Sequence, residues 1–216
     1  MICLATAAAL DLAAFSTDAV EAKAARNLAA LLTPIGKAFA TDSAVEVASL
    51  GIQVHGGMGF VEETGAAQHM RDARILPIYE GTNGIQAIDL VMRKLPLGNS
   101  GHANGFIAEL REIADEVRKS NRPEFGTTAD RLDQALKDAQ SATDFLIAKS
   151  AEGEANQAPA GATPYLRLIS LAAGGAWLAK SALSGDAART ALCRFFAENQ
   201  LAETAALADR VITGAD

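Results

Sequence analysis

Two short runs in this chain carry residue types that do chemistry. The first is Ile78-Tyr79-Glu80-Gly81-Thr82-Asn83-Gly84, where a carboxylate stands beside a glycine just before a helical pattern begins. The chemistry open to Glu80 is proton transfer. Taken alone, the run is also an ordinary helix start: a carboxylate there complements the helix dipole, and Thr82 and Asn83 are common capping residues. The second run is Gln53-Val54-His55-Gly56-Gly57-Met58-Gly59. Three glycines at a helix end let the backbone turn sharply and approach a ligand closely. Taken alone, this run is a helix C-cap followed by a tight loop. It is not a dinucleotide fingerprint, because no strand precedes it and the glycines follow a helix. Arg71 and Arg74 lie between the two runs, where the simplest partners are Asp72, Glu62 or Glu63 on a solvated face.

Helices must position these runs. Half of the residues are hydrophobic but only 5% are aromatic. An interior built mainly from Ala and Leu favours closely packed helices over a sheet. Residues 2–15 read as helix with almost no polar face, which requires burial against something. Ser16-Thr17-Asp18 offers an N-cap supported by Glu21, and a short helix is expected to about Leu32. Thr33 is expected to cap the next helix, with Pro34 at its first position. That helix carries Ile35, Phe39, Val45, Val47, Leu50 and Val54 and ends in the glycine run. Thr64 is expected to cap a short helix through Arg74, and Pro77 keeps the following residues extended. A helix from Asn83 to Leu95 places Ile85, Ile88, Val91, Met92 and Leu95 on one face, and Pro96 ends it.

Residues 97–104 are rich in Gly, Asn and Ser and read as a linker. Beyond it, Phe106, Leu110, Ile113 and Val117 recur at helical spacing. A helix follows from about Ala129 to Lys149, then a polar Ala/Pro loop over 152–161. The next helix, from Pro164 to about Leu183, is apolar on most sides, and a last one runs from Asp186 through Val211. The expectation is an all-α fold: an up-and-down helical bundle over residues 1–97, followed by a second helical domain over 98–216. A net charge of −7 without a compensating basic patch argues against nucleic acid. Cys3 and Cys193 form no metal-ligand spacing, so no metal is expected, and they point to a reducing, cytoplasmic setting. The longest apolar run, interrupted by Gly174 and Gly175, is too short to span a bilayer.

Taken together, the motifs say more. Ala38-Phe39-Ala40, the run Gln53 to Phe60, Met70-Arg71-Asp72-Ala73-Arg74-Ile75 and Ile78-Tyr79-Glu80-Gly81-Thr82 occur in one order and at one set of spacings. The stretch from about Lys37 to Leu95 resembles the C-terminal helical domain of the acyl-CoA dehydrogenases. Residues beyond the linker resemble, more loosely, the extra helical domain of the longer bacterial members, a group that includes enzymes acting on 3-(methylthio)propanoyl-CoA. The resemblance implies FAD as cofactor, an acyl-CoA substrate, an electron-transfer flavoprotein as electron acceptor, and a homodimer or homotetramer.

By position, the resemblance makes Glu80 the base that removes the α-proton of the thioester while the β-hydrogen leaves as hydride to the flavin. A desolvated Glu has a raised pKa, which suits a base near neutral pH. Gly81 would leave room for the thioester. Thr82, Asn83 and Gly84 match positions that contact FAD, although Gly84 stands where Gln often occurs. Gln53, Val54, His55, Gly56 and Gly57 match the run that meets the FAD of a neighbouring subunit. The family's N-terminal helical and middle β-domains have no counterpart here, so the chain is expected to be the C-terminal part of such an enzyme and inactive alone. The competing expectation is a catalytically inactive helical oligomerisation module.

Overall fold

The computed structural model describes residues 1–152 and 156–214. Among them there is no strand, and the all-α expectation holds. Helix α1 (Ile2–Phe15) packs along α2 (Ala19–Val54), which runs 36 residues. Asp18 caps α2 as expected, its Oδ1 accepting from Val20 N at 2.8 Å. The glycine run makes a short helix, α3 (Gly57–Phe60), and a 3-10 turn leads into α4 (Ala66–Ile75), which returns along α2. Then α5 (Asn83–Asp89) continues into a π-helical turn, Leu90–Lys94. The remaining helices are α6 (Gly101–Ser120), α7 (Thr128–Ala151), a short α8 (Gln157–Ala160), α9 (Ala162–Ala182), α10 (Ala187–Asn199) and α11 (Thr204–Thr213). Helix α9 is the hub: it packs on α7, α11, α10, α6, α2 and α5.

Four local expectations are corrected. No break occurs at Thr33, and Pro34 lies buried inside α2. The Thr33 hydroxyl donates to the Ala29 carbonyl at 2.7 Å, and the buried neighbours Leu31, Leu32, Ile35 and Ala38 hold the helix through the missing N–H. Thr64 does not cap α4, because its hydroxyl turns back to the Met58 carbonyl at 2.6 Å and Gly65 takes the cap position. Helix α6 begins at Gly101, inside the expected linker. The last helix is two: after Asn199 a 3-10 turn inserts Leu201, 3% exposed, into the core. Thr204 secures that break by donating to Asp138 Oδ2 at 2.8 Å. Asp186 does start α10, accepting from Arg189 N at 2.9 Å. Part of the expected loop over 152–161 lies outside the described residues, and α8 occupies its end.

One hydrophobic cluster joins the two halves of the chain. Leu32, Ile35, Leu90, Val91 and Leu95 share it with Phe106, Leu110, Leu132, Leu136 and Leu171. The π-turn contributes, since its Leu95 N–H bonds to the Leu90 carbonyl at 3.0 Å and both side chains end up buried. Tyr165 on α9 is fully buried, with its hydroxyl 2.8 Å from Thr143 Oγ1 on α7. Thr143 Oγ1 also lies 2.6 Å from the Ala139 carbonyl, which can only accept. Thr143 therefore donates there and Tyr165 donates to Thr143. Helix α1 is different: only Ile2 and Ala9 are buried, and Leu4, Leu10 and Phe15 stay exposed.

The two cysteines differ in environment. Cys3 is exposed, whereas Cys193 is buried, which pushes its thiol up from 9.0 to about 11. An alkylating reagent near neutral pH is expected to modify Cys3 and to spare Cys193 until the chain unfolds, with mass spectrometry reporting the sites. The raised value also has a stability consequence. The protonated thiol is the form the folded state favours, so this stabilisation is complete below pH 9.0 and is lost as pH rises through about 11.

Candidate functional site

The turn that carries Glu80 is built by a few specific bonds. Tyr79 N–H donates to the Ile75 carbonyl at 3.1 Å, and Asn83 N–H donates to the Pro77 carbonyl at 3.0 Å, closing residues 76–82 into a compact link. Glu80 has φ of 54° and Gly81 φ of 82°. A left-handed non-glycine residue costs about 1 kcal/mol or more, and such residues persist where the surroundings over-determine them. The surroundings do so here. Lys37 Nζ on α2 donates to the Gly81 carbonyl at 2.9 Å and to Asn83 Oδ1 at 2.8 Å. The Asn83 amide nitrogen lies 2.7 Å from Asp42 Oδ1, 2.9 Å from Thr41 Oγ1 and 3.1 Å from the Ala38 carbonyl. Gln86 Nε2 reaches back to the Glu80 carbonyl at 3.3 Å.

The same anchor rotates α5. Asn83, Ala87, Leu90 and Val91 follow at helical spacing and face α2, with the last three buried. The predicted apolar face is therefore not the buried one. Ile85, Ile88 and Met92 are exposed, and only Val91 and Leu95 of that set lie in the core. Polar anchoring at Asn83 wins over the bulkier side chains because an unpaired, half-buried amide is costly.

Glu80 is exposed, and among the described residues its carboxylate has no hydrogen-bond or ion-pair partner. Tyr79, Gly81, Thr82 and Gly84 beside it are exposed too, and the Thr82 side chain makes no capping bond. The carboxylate is thus presented on a pinned turn with open space in front of it.

The glycine run is elsewhere. Gln53 and Val54 end α2, and His55 follows with Nδ1 2.8 Å from the Gly51 carbonyl. Gly56 has φ 60° and ψ −145°, and a Cβ there would meet nothing within 4 Å. Gly59 is required for a different reason: a Cβ would sit 2.3 Å from the Ile52 carbonyl oxygen. Arg71 closes this loop onto α4 through two bonds to Glu62, at 2.8 and 2.6 Å, and Arg74 has no ion pair among the described residues. From Asp42 to Gln53 is eleven residues of unbroken helix, roughly 16 Å. The structure therefore joins Glu80 through Asn83 to residues 37–42 and keeps Gln53, Val54, His55, Gly56 and Gly57 at a distance along α2.

Helix α9 forms the far wall beside the turn. A cavity of about 550 Å³ lies between Ala38, Asn83 and Gly84 on one side and Thr163, Arg167 and Leu207 on the other. Arg167 donates to Glu46 on α2 at 3.1 Å and to Glu203 at 3.1 Å, bridging the two halves. A larger open groove, about 680 Å³, lies between α1, α2 and α6 and contains none of the candidate residues. Among the described residues no cluster of metal-ligating side chains occurs, and no helix is long and apolar enough to cross a membrane.

Two family descriptions match this chain. Residues 3–95 match the acyl-CoA dehydrogenase C-terminal domain, and residues 106–216 match the acetyl-CoA dehydrogenase C-terminal-like domain. The chain belongs to the acyl-CoA dehydrogenase family. It is 39% identical over 231 aligned residues to 3-methylmercaptopropionyl-CoA dehydrogenase of Ruegeria pomeroyi, covering 100% of this chain and 38% of that protein. It is 31% identical over 139 residues to a butyryl-CoA dehydrogenase of Syntrophomonas wolfei, covering 64% of this chain and 22% of that one. The fold is similar to that of Caenorhabditis elegans ACDH-11, solved in complex with C11-CoA. The TM-score is 0.69 at 22% identity, over 99% of this chain and 33% of that one. The chain thus spans well under half the length of these acyl-CoA dehydrogenases.

Three residues around the acyl-CoA dehydrogenase motif were not singled out from sequence as site residues: Lys37, Thr41 and Asp42. They precede Asn83 by more than 40 positions. On α2 alone they are an ordinary polar stripe, and the sequence signal was only their place at the start of the matching stretch.

Proposed function

We propose that this chain supplies the catalytic base and part of the cofactor contacts of an FAD-dependent acyl-CoA dehydrogenase. The observation that supports it most is the unpartnered Glu80 carboxylate on a left-handed turn that Lys37 and Asn83 pin to α2. Glu80 takes the α-proton of the acyl thioester at its carboxylate oxygen. Gly81, without a side chain, leaves room for the thioester beside it. When bound, FAD supplies a hydride acceptor for the β-hydrogen. The residues fit that group as one wall of its site. Thr82 offers an unbonded hydroxyl and Gly84 an open backbone face, while the amide of Asn83 is engaged within the chain and holds the turn. The open space over Gly56 lets a ligand lie against the backbone, so Gln53, Val54, His55, Gly56 and Gly57 would meet a second FAD, that of a neighbouring subunit. The separation of the two runs along α2 supports two cofactors over one.

In this reading the protein is a cytoplasmic homodimer or homotetramer that passes electrons to an electron-transfer flavoprotein. Substrates are acyl-CoA thioesters, and the similarity to a 3-methylmercaptopropionyl-CoA dehydrogenase favours short, sulfur-tolerant acyl groups. Residues 1–97 and 98–216 act as two domains, with Arg167 bridging them. The exposed apolar residues of α1 and of the end of α2 (Leu4, Phe15, Val47, Leu50 and Val54) favour a second reading, a helical oligomerisation module without activity. Flavin binding separates the two. The natural full-length protein is expected to purify with stoichiometric flavin whose absorbance bleaches on adding an acyl-CoA. Absence of flavin binding, with no rise in melting temperature under excess FAD, would leave the assembly reading.

A further inference from the structure

We propose that Lys37 is a positioning residue for the Glu80 base, an inference that rests on the function proposed above. Helix α2 presents its ammonium to two acceptors on the turn, the Gly81 carbonyl at 2.9 Å and Asn83 Oδ1 at 2.8 Å, 44 and 46 residues away. These bonds have a specific mechanical consequence. Gly81 O belongs to the peptide group that follows two consecutive left-handed residues, Glu80 and Gly81. Holding that carbonyl sets ψ of Gly81. Gln86 Nε2, on the Glu80 carbonyl at 3.3 Å, holds the peptide before it. The two tied peptide planes flank Gly81 and fix its backbone, and the nearer one, on the Glu80 carbonyl, is also the plane on the C-terminal side of Glu80, so it restrains the direction in which the Glu80 side chain leaves the turn.

The ammonium also orders the anchor itself. Asn83 has an acceptor and a donor end, and only one assignment suits its neighbours. Lys37 demands the oxygen, while Asp42 Oδ1 at 2.7 Å and the Ala38 carbonyl at 3.1 Å demand the nitrogen. Lys37 and Asp42 thus read opposite ends of one amide, and together they fix the side-chain rotamer from which α5 starts. The Thr41 hydroxyl lies beside both ends of the amide, 2.9 Å from its nitrogen and 3.2 Å from Oδ1, to which it can donate. None of these groups needs to touch a substrate. A charged donor on a rigid helix, held half-buried, gives a stronger tie than a neutral side chain would. Residues that hold catalytic groups to within a fraction of an ångström act through alignment, and small displacements lower turnover by up to about 100-fold.

The test compares Lys37→Met, Lys37→Arg, Thr41→Val and Glu80→Gln in the natural full-length protein, with kcat, KM, flavin content and melting temperature measured for each. Lys37→Met is expected to lower kcat about 10- to 100-fold with KM and flavin content near wild type. Lys37→Arg, which keeps donor and charge, is expected to recover most of the loss. Should Lys37→Met fail to fold, Thr41→Val removes one bond of the same anchor, and a several-fold fall in kcat alone is expected from it. Wild-type kcat in a folded Lys37→Met variant, or equal loss in kcat and flavin content with no recovery by Arg, overturns the positioning role. If Glu80→Gln is inactive while Lys37→Met is normal, the base assignment stands and this inference fails. If Glu80→Gln turns over normally, both fail.

Discussion

Glu80→Gln, made in the natural full-length protein, is expected to abolish dehydrogenation while leaving the flavin in place. The amide keeps the size and the branching of the carboxylate, and Gln occupies the left-handed region about as poorly as Glu, so the turn is perturbed little. The tie from Lys37 to the Gly81 carbonyl and the tie from Gln86 to the Glu80 carbonyl involve backbone oxygens and are unaffected. What is lost is the only group on the turn able to accept a proton. General-base catalysis contributes about 10²–10⁴-fold, so kcat is expected to fall by at least about 100-fold. Flavin absorbance and melting temperature should stay near wild type, because among the described residues the carboxylate has no partner whose loss would weaken the fold. Turnover within tenfold of wild type, measured with a dye acceptor, would remove Glu80 from the role of base.

The largest stability effect is expected at Leu132. Its side chain is fully buried on α7, where Gly175 of α9 and Leu201 of the 3-10 turn converge. A Cβ at Gly175 would sit 3.2 Å from Leu132 Cδ2 and 3.2 Å from Leu201 Cδ1, so the three fill one space with no slack. Leu132→Ala leaves a cavity that helix backbones on three sides cannot collapse, and buried Leu→Ala changes cost about 2–5 kcal/mol. For a chain of this size that corresponds to a fall in melting temperature of roughly 5–15 °C. Differential scanning calorimetry of the variant checks it. A shift of under two degrees would mean that α7 and α9 are not packed as described.

Much of the helical content was legible because its signals are local. Asp18 and Asp186 cap their helices through bonds to N–H groups two or three residues away, and that geometry travels with the sequence. The α6 stripe Phe106, Leu110, Ile113 and Val117 is buried throughout, since a helix of 20 residues with one apolar face has little choice of orientation. The motifs around Glu80 and the glycine run are ordinary helix ends taken singly, and became informative through their joint resemblance to the acyl-CoA dehydrogenases.

Other features were illegible for a common reason: they depend on residues distant in sequence. Pro34 looks like a helix start, and only the burial around it keeps α2 continuous. Thr64 looks like a cap, but Met58 O was closer to hand. Ile85, Ile88 and Met92 look like a core face, yet Asn83 turns α5 so that Ala87 and Leu90 go inward. The split near Gln200 follows from Leu201 finding its place against Gly175.

By itself, the sequence determined an all-α chain, and its resemblance to the acyl-CoA dehydrogenases is what marked Glu80 as a candidate base. Tertiary structure decided how that carboxylate is aimed. Its φ of 54° is held in a turn whose next residues, Gly81 and Asn83, are tied to Lys37, Thr41 and Asp42 of another helix. Left-handed backbone at a glutamate is unfavourable locally, and the short-range bonds of the turn are joined by bonds closed across more than 40 residues, which no short window of sequence shows.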